Sequence, residues 1–331
     1  MTETVTPAGA PGQAPNAATG SRMRRRLPET AALAGVLIVL GIIFTTQSKY
    51  FLTPDNFINI LTNAAVIGII AAPVTLLLVA GQFDLSVGSG AAFIGVVMAW
   101  AAPQLGIPTA VILCILAGLA IGVVNGFAVT VLGINALITT LAMLAILRGL
   151  GQVLAGGQTL LLSGFSDLGV ARPFLNVPVP VLIFIAVVII TALAMRYTVF
   201  GRSMYAIGAN PVAARLTGIR TRTTIFIGFL LSGLAVVIGG LILVSQLGAA
   251  SPNAASGLEL SVVTAVILGG ASLAGGRGTI VGTMLGVLIL GVLNNGLTLM
   301  NINSFWQDVA RGVLLLAAVG FDQLRLRLSS K

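Results

Sequence analysis

The chain has 331 residues, 57% of them hydrophobic and 8% charged, with a mean hydropathy of +1.09. Soluble domains carry about a quarter charged residues, so this composition excludes a water-soluble globular protein and indicates one embedded in a membrane. The formal charge of +9 does not indicate nucleic acid, because the basic residues stand between apolar runs, where they set membrane orientation.

The apolar runs lack the alternation of a membrane barrel, so the fold class is an all-α membrane protein. The sequence has no histidine and one cysteine, Cys114. That removes a Ser–His–Asp triad, an internal disulfide and a zinc site of the usual ligands. No catalytic constellation is legible, and the chain reads as a non-catalytic one.

Residues 1–29 are expected to form a disordered cytoplasmic tail. Its first 21 residues are rich in Ala, Pro, Gly and Thr, and Arg22, Arg24, Arg25 and Arg26 make a basic anchor. A signal peptide is rejected, because the following apolar run continues to about Phe44 with no small-residue cleavage pattern after it. A span needs about 20 apolar residues. Ten spans are expected, at 30–47, 57–80, 85–102, 107–132, 136–155, 178–196, 223–248, 259–275, 279–298 and 305–321. They make a transmembrane domain of residues 30–325, with 326–331 a short cytoplasmic tail. Ten spans put both termini inside. The cytoplasmic side then holds Arg22 to Arg26, Arg196, Arg202, Arg215, Arg220, Arg222, Arg277, Arg325, Arg327 and Lys331, which fits the positive-inside rule. Segments 48–56 and 156–177 become external loops.

The run Gly81-Gln82-Phe83-Asp84-Leu85-Ser86-Val87-Gly88 places a carboxylate in apolar sequence. A charge at mid-bilayer costs about 2.5–3.5 kcal/mol, so Asp84 must lie at an interface, face water or be hydrogen-bonded. Ser86 is placed to cap the next helix. Asp84 reads either as ordering a helix break beside a solute path or as an N-cap at the membrane edge. Glu259 has the same ambiguity at an outer edge. Further polar residues fall inside spans. Asn125, Thr139, Thr140, Asn294 and Asn295, together with Asp84 and Ser86, are candidates to line a path for a neutral hydroxylated solute. They also suit helix–helix hydrogen bonding. Asp308 and Arg311, one helical step apart, read as an ion pair.

The longest polar break is 196–222, with five arginines and no acidic residue. Within it Asn210, Pro211, Val212, Ala213, Ala214, Arg215, Leu216, Thr217 and Gly218 read as a very short helix. Asn210 is its N-cap, Pro211 takes its first position and Gly218 makes a left-handed stop. Val212 and Leu216 share a face. Two turns are marginal alone in water, so this helix either plugs into a separate soluble protein or belongs to a solvated basic loop. The glycine-rich run 268–279 lacks the lysine of a phosphate-binding loop and reads as a tight cytoplasmic turn. If ATP drives the protein, another chain must bind it.

The two halves echo each other. Asp84-Leu85-Ser86-Val87 matches Glu259-Leu260-Ser261-Val262, and Gly122-Val123-Val124-Asn125-Gly126 matches Gly291-Val292-Leu293-Asn294-Asn295-Gly296. Two inverted pseudo-repeats follow from the span count, an arrangement transporters use around a central pathway.

Four stretches carry a resemblance: GQFDLSVGS at 81–89, NALITTLAMLAILRGLGQVLAGGQ at 135–158, FGRSMYAIGANPVAARLTGI at 200–219 and LSVVTAVILGGASLAGGRGTIVGTMLGVLILGVLNNGL at 260–297. The chain resembles the inner-membrane permease subunits of bacterial ATP-binding-cassette (ABC) sugar importers, the ribose/xylose/autoinducer permease family. Gln82-Phe83 departs from that family's more frequent Gly-Ile. The resemblance implies a type II importer permease of about ten helices, working as a dimer with a second permease copy in the bacterial plasma (inner) membrane. It implies an external sugar-binding protein and an ABC ATPase subunit that holds the ATP and Mg, the chain itself binding no cofactor. Asn210 to Gly218 would be the coupling helix seated in the ATPase. The rival class is an ion-coupled secondary transporter, for which Asp84, Glu259 and Asp308 are the only candidate groups, each near an expected span end. A passive channel is disfavoured, because neither a ring of charges nor a carbonyl filter is legible.

Overall fold

The computed structural model describes residue 2 and residues 29–329. The expected basic anchor Arg22 to Arg26 and Lys331 lie outside the described residues, as do the side chains of Arg325 and Arg327. The helices are α1 Glu29–Gln47, α2 Pro54–Val79, α3 Val87–Leu105, α4 Ile107–Thr130, α5 Ala136–Ala155, α6 Asp167–Val170, α7 Val179–Tyr197, α8 Val199–Ala209, α9 Pro211–Leu216, α10 Thr221–Leu247, α11 Leu258–Leu268, α12 Ile280–Leu299 and α13 Ser304–Ser329. Two short strands, β1 Leu160–Leu161 and β2 Ala249–Ala250, pair antiparallel.

Among the described residues eight helices are long and apolar enough to cross a membrane: α1 to α5, α7, α10 and α12. Ten spans are not matched one for one, and two of the expected spans differ from these eight. The span read at 259–275 shrinks to α11, because glycines follow it and Gly270, Gly275, Gly276 and Gly278 take positive φ, which ends a helix. The span read at 305–321 is helical throughout, as part of α13, which carries Gln307, Asp308 and Arg311 in its first half. A smaller shift concerns α2, which starts at Pro54 and so takes in Asn56.

The echo between the halves is present in the packing. α10 packs on α3 and α4, and α2 packs on α11 and α12. The α3–α4 and α3–α5 contacts are matched by α11–α12 and α11–α13. Gly239 of α10 lies against Val66 and Ile70, and Gly228 against Leu77, so α2 and α10 run antiparallel. Repeats of inverted topology require that relation between their leading helices. Close approach rests on small residues, as between membrane helices generally: Gly118 sits on the Gly233 backbone and Gly122 on that of Phe229 and Leu230.

At one end of the bundle the strand pair ties the 156–178 segment to the end of α10. Ser245 there donates to the Phe165 carbonyl at 2.5 Å and accepts from the Gly169 N–H at 2.8 Å. Beyond β2 the non-helical chain runs back along α3 and α5. A Cβ on Gly95 would stand 3.9 Å from Ala250, one on Gly151 3.5 Å from Pro252, and one on Gly88 3.1 Å from the Glu259 nitrogen. Irregular backbone within a membrane is tolerated only when buried in protein, and α3 and α5 supply that cover.

Candidate functional site

Two regions carry the polar chemistry. The first is the loop between α7 and α10. Thr198 caps α8 by accepting from the Gly201 N–H at 3.1 Å. Asn210 Oδ1 accepts from the Val212 and Ala213 N–H groups, both at 3.0 Å, and Pro211 stands in the first turn of α9. At the far end Gly218 takes φ +86°, and the N–H groups of Gly218 and Ile219 donate to the Arg215 and Ala214 carbonyls. The local code for a short capped helix is therefore realised residue for residue. Ala214 is buried, whereas Val212 is 57% and Leu216 85% exposed. The apolar face of α9 points away from its own protein, with the exposed Arg215 beside it.

This loop grips the end of α2. Gly208 of α8 lies directly on the Val79 carbonyl, which also accepts the Gly276 N–H at 2.8 Å. Gly275 packs on the Gly81 nitrogen and on Gly208. Tyr205 Oη donates to the Gly278 carbonyl at 2.6 Å, and burial pushes its phenol above the ordinary value. The glycine run 268–279 is thus a wound loop locked onto α2 and α8.

The second region is a buried polar node around the α2–α3 break. Asp84 Oδ1 accepts from the Ser86 N–H at 3.1 Å and the Ser86 hydroxyl at 2.6 Å. Its Oδ2 accepts from the Ser232 hydroxyl of α10 at 2.6 Å. Asn125 of α4 donates to Ser86 Oγ at 2.9 Å. Asp84, Ser86, Asn125 and Ser232 are all buried, and Asn125 Oδ1 has no partner. Ser232 is the twelfth of the 27 residues of α10, about 16 Å along the helix at 1.5 Å per residue. Asp84 is therefore not an N-cap at the membrane edge. It lies level with the middle of a spanning helix and is hydrogen-bonded there. The expected cap at Ser86 is absent: its hydroxyl goes to Asp84 and makes no capping bond. Glu259 stands in the first turn of α11. It meets the start of α3, where its Oε2 lies over Gly88 and has no hydrogen-bond partner.

The other candidates divide. Thr140 Oγ1 donates to the Ala136 carbonyl at 2.9 Å and reaches the Phe83 carbonyl at 3.5 Å, beside the node. Thr139 is buried with its hydroxyl unpartnered. Asn295 stands elsewhere, trading two amide bonds with Asn56 of α2 at 2.8 and 3.0 Å, which makes it a clamp between helices. Asn294 is half-buried on the same turn. The Asp308–Arg311 pair forms at 3.2 Å. Sequence reasoning gave Asn56 no place in the site, and it counted Ser232 among the polar residues inside spans without pairing it with Asp84. Asn56 fell before an expected span, and Ser232 is 148 residues from its partner.

Two cavities open beside the break. One of about 490 Å³ is bounded by Gln82, Phe83, Thr130, Asn135, Thr221 and Arg222 among others. The other, about 340 Å³, lies between Gln82 and the loop residues Pro211 and Arg215. Gln82, the departure noted in the sequence, borders both.

A family model described as "Branched-chain amino acid transport system / permease component" matches residues 56–319, from α2 into α13. The chain belongs to that family. The permease is also similar to curated proteins along most of its length. "Ribose import permease protein RbsC" of Escherichia coli (strain K12) is 39% identical over 307 residues, covering 89% of this chain and 94% of the relative. "L-arabinose transport system permease protein AraH" of the same strain is 39% identical, covering 88% and 90%. "Probable ABC transporter permease protein YphD" is 38% identical, covering 89% and 90%. No solved structure matches. The permease is a multi-pass, non-catalytic membrane subunit of an ABC transporter, whose ATPase is a separate partner.

Proposed function

We propose that this permease is the membrane-spanning subunit of an importer that moves a sugar, of pentose size or close to it, into the cytoplasm by alternating access. The observation that carries the reading is α9: a capped helix whose Val212 and Leu216 face is exposed, among arginines and without acidic residues. An apolar pair presented to solvent on a two-turn helix is stable only when a partner covers it. The ATPase supplies that cover and holds the ATP and Mg, and Asn210 to Gly218 act as the coupling helix. An external binding protein delivers the sugar, and a second permease copy completes the pathway. The unit sits in the bacterial inner membrane with both termini cytoplasmic, as the arginine asymmetry requires.

The family description names branched-chain amino acids, whereas the relatives quoted above are named for ribose and L-arabinose. An amino acid zwitterion calls for paired opposite charges. The larger cavity offers amides, hydroxyls and one arginine, with no carboxylate, which suits a neutral hydroxylated solute. Asp84 favours one rival, an ion-coupled carrier, because it is a buried carboxylate level with the middle of α10. Its two oxygens are already engaged by three donors, which speaks against that rival. The test is uptake of labelled ribose and L-arabinose into proteoliposomes holding the permease, its ATPase and its binding protein. ATP-dependent uptake of a sugar, absent without the ATPase, is expected. Uptake driven by an ion gradient with no ATPase present would overturn the reading.

A further inference from the structure

The break between α2 and α3 is held at its two ends by different parts of the molecule. At one end Val79 and Gly81 are clasped by Gly208 of α8 and by Gly275 and Gly276. These are contacts of glycine on backbone. No side chain stands between, so no rotamer change can absorb a displacement. α8 ends at Ala209 and α9 starts at Pro211, so a push on α9 reaches Gly208 through two residues. At the other end, five residues beyond Val79, Asp84 is pinned to Ser232 of α10 and to Ser86 at the start of α3, with Asn125 of α4 behind them. The chain between is short and fixed: Gly81 takes φ +74°, and the Gln82 N–H donates back to the Leu77 carbonyl at 2.8 Å.

We propose that Asp84 is the positioning residue through which displacement of the α8–α9 loop reaches the buried starts of α3 and the middle of α10. The proposal rests on the reading of α9 as the coupling helix. Asp84 touches no solute in this role; it acts through the helices it joins. A carboxylate suits the task because its two oxygens take three donors at once, from Ser86 at the start of α3 and from Ser232 of α10. The node also has somewhere to go. Asn125 Oδ1 is buried without a partner beside Ser86, so a hydroxyl released from Asp84 finds an acceptor there. A switching element needs such a second satisfied arrangement.

The test uses the full complex in proteoliposomes and reads ribose taken up per ATP hydrolysed. Asp84→Ala and Ser232→Ala remove the pin. Asp84→Asn keeps an oxygen for the Ser86 N–H and an amide that the hydroxyls can accept. Ribose per ATP is expected to fall about tenfold or more in both alanine variants, within the range of coupling effects. ATP hydrolysis continues in both, and Asp84→Asn restores most of the ratio. An unchanged ratio in the alanine variants overturns the proposal. So does Asp84→Asn proving as defective as Asp84→Ala, which would mean that charge matters and not the pin. If both alanine variants lose the assembled complex, the node is scaffold only and the proposal falls. If the wild-type complex shows no ATP-dependent uptake, the transport reading itself fails and takes the joint with it.

Discussion

Two places in this permease break the usual partition of polar and apolar groups, in opposite directions. On α9 the apolar side chains Val212 and Leu216 are presented outward. Around Asp84, polar side chains are buried at the depth of a helix centre. The exposed apolar face has no internal partner among the described residues, and the proposed function gives it one on another chain. The buried carboxylate has three internal donors and needs nothing from outside. On the proposed function, one anomaly marks a contact between molecules and the other a contact between helices.

The difference can be broken most severely at α9. Leu216→Asp is expected to abolish uptake and co-purification with the ATPase while leaving membrane insertion intact, as is Arg215→Glu. Normal uptake by both would show that the face is idle. At the node, Ser232→Ala leaves Asp84 Oδ2 with no bond. An orphaned buried acceptor costs about 1–3 kcal/mol, so Tm in detergent should fall, whereas Leu216→Asp should leave it unchanged. Equal shifts for the two variants would remove the distinction between surface and core. Asn295→Leu should lower Tm by less, since interhelical hydrogen bonds within membranes average about 0.6 kcal/mol, and uptake kinetics should hold. A changed KM would return Asn295 to the path.

The smallest effect is expected at Tyr205. Its folded pKa is raised by burial, so its bond to Gly278 contributes fully below the ordinary phenol pKa of about 10 and is lost as pH rises through the folded value. The difference in Tm between Tyr205→Phe and the wild type should therefore stay constant from about pH 6 to 9 and shrink only in stronger alkali.

A second contrast lies between the two halves. Asp84 and Glu259 hold matching places in the echo, yet Asp84 is fully bonded and Glu259 keeps an oxygen without a partner over Gly88. The matching tetrapeptides were legible in the sequence, but not the divergence. Ser232 answers Asp84 from another helix, whereas Glu259 meets a glycine. The shortness of α11 was half-legible, because the glycines that end it stand in plain sight inside a run apolar enough to pass for a span.

Sequence by itself determined the membrane class and the form of α9. Hydropathy and capping act between neighbours along the chain, and Asn210, Pro211 and Gly218 carry the whole instruction within nine residues. Only the tertiary structure decided that Asp84 is pinned at depth, that Asn295 clamps α2 and that three glycines grip Val79 and Gly81. Those contacts join residues 120 or more positions apart, and the strength of a buried hydrogen bond depends on which helices meet, which no local pattern encodes.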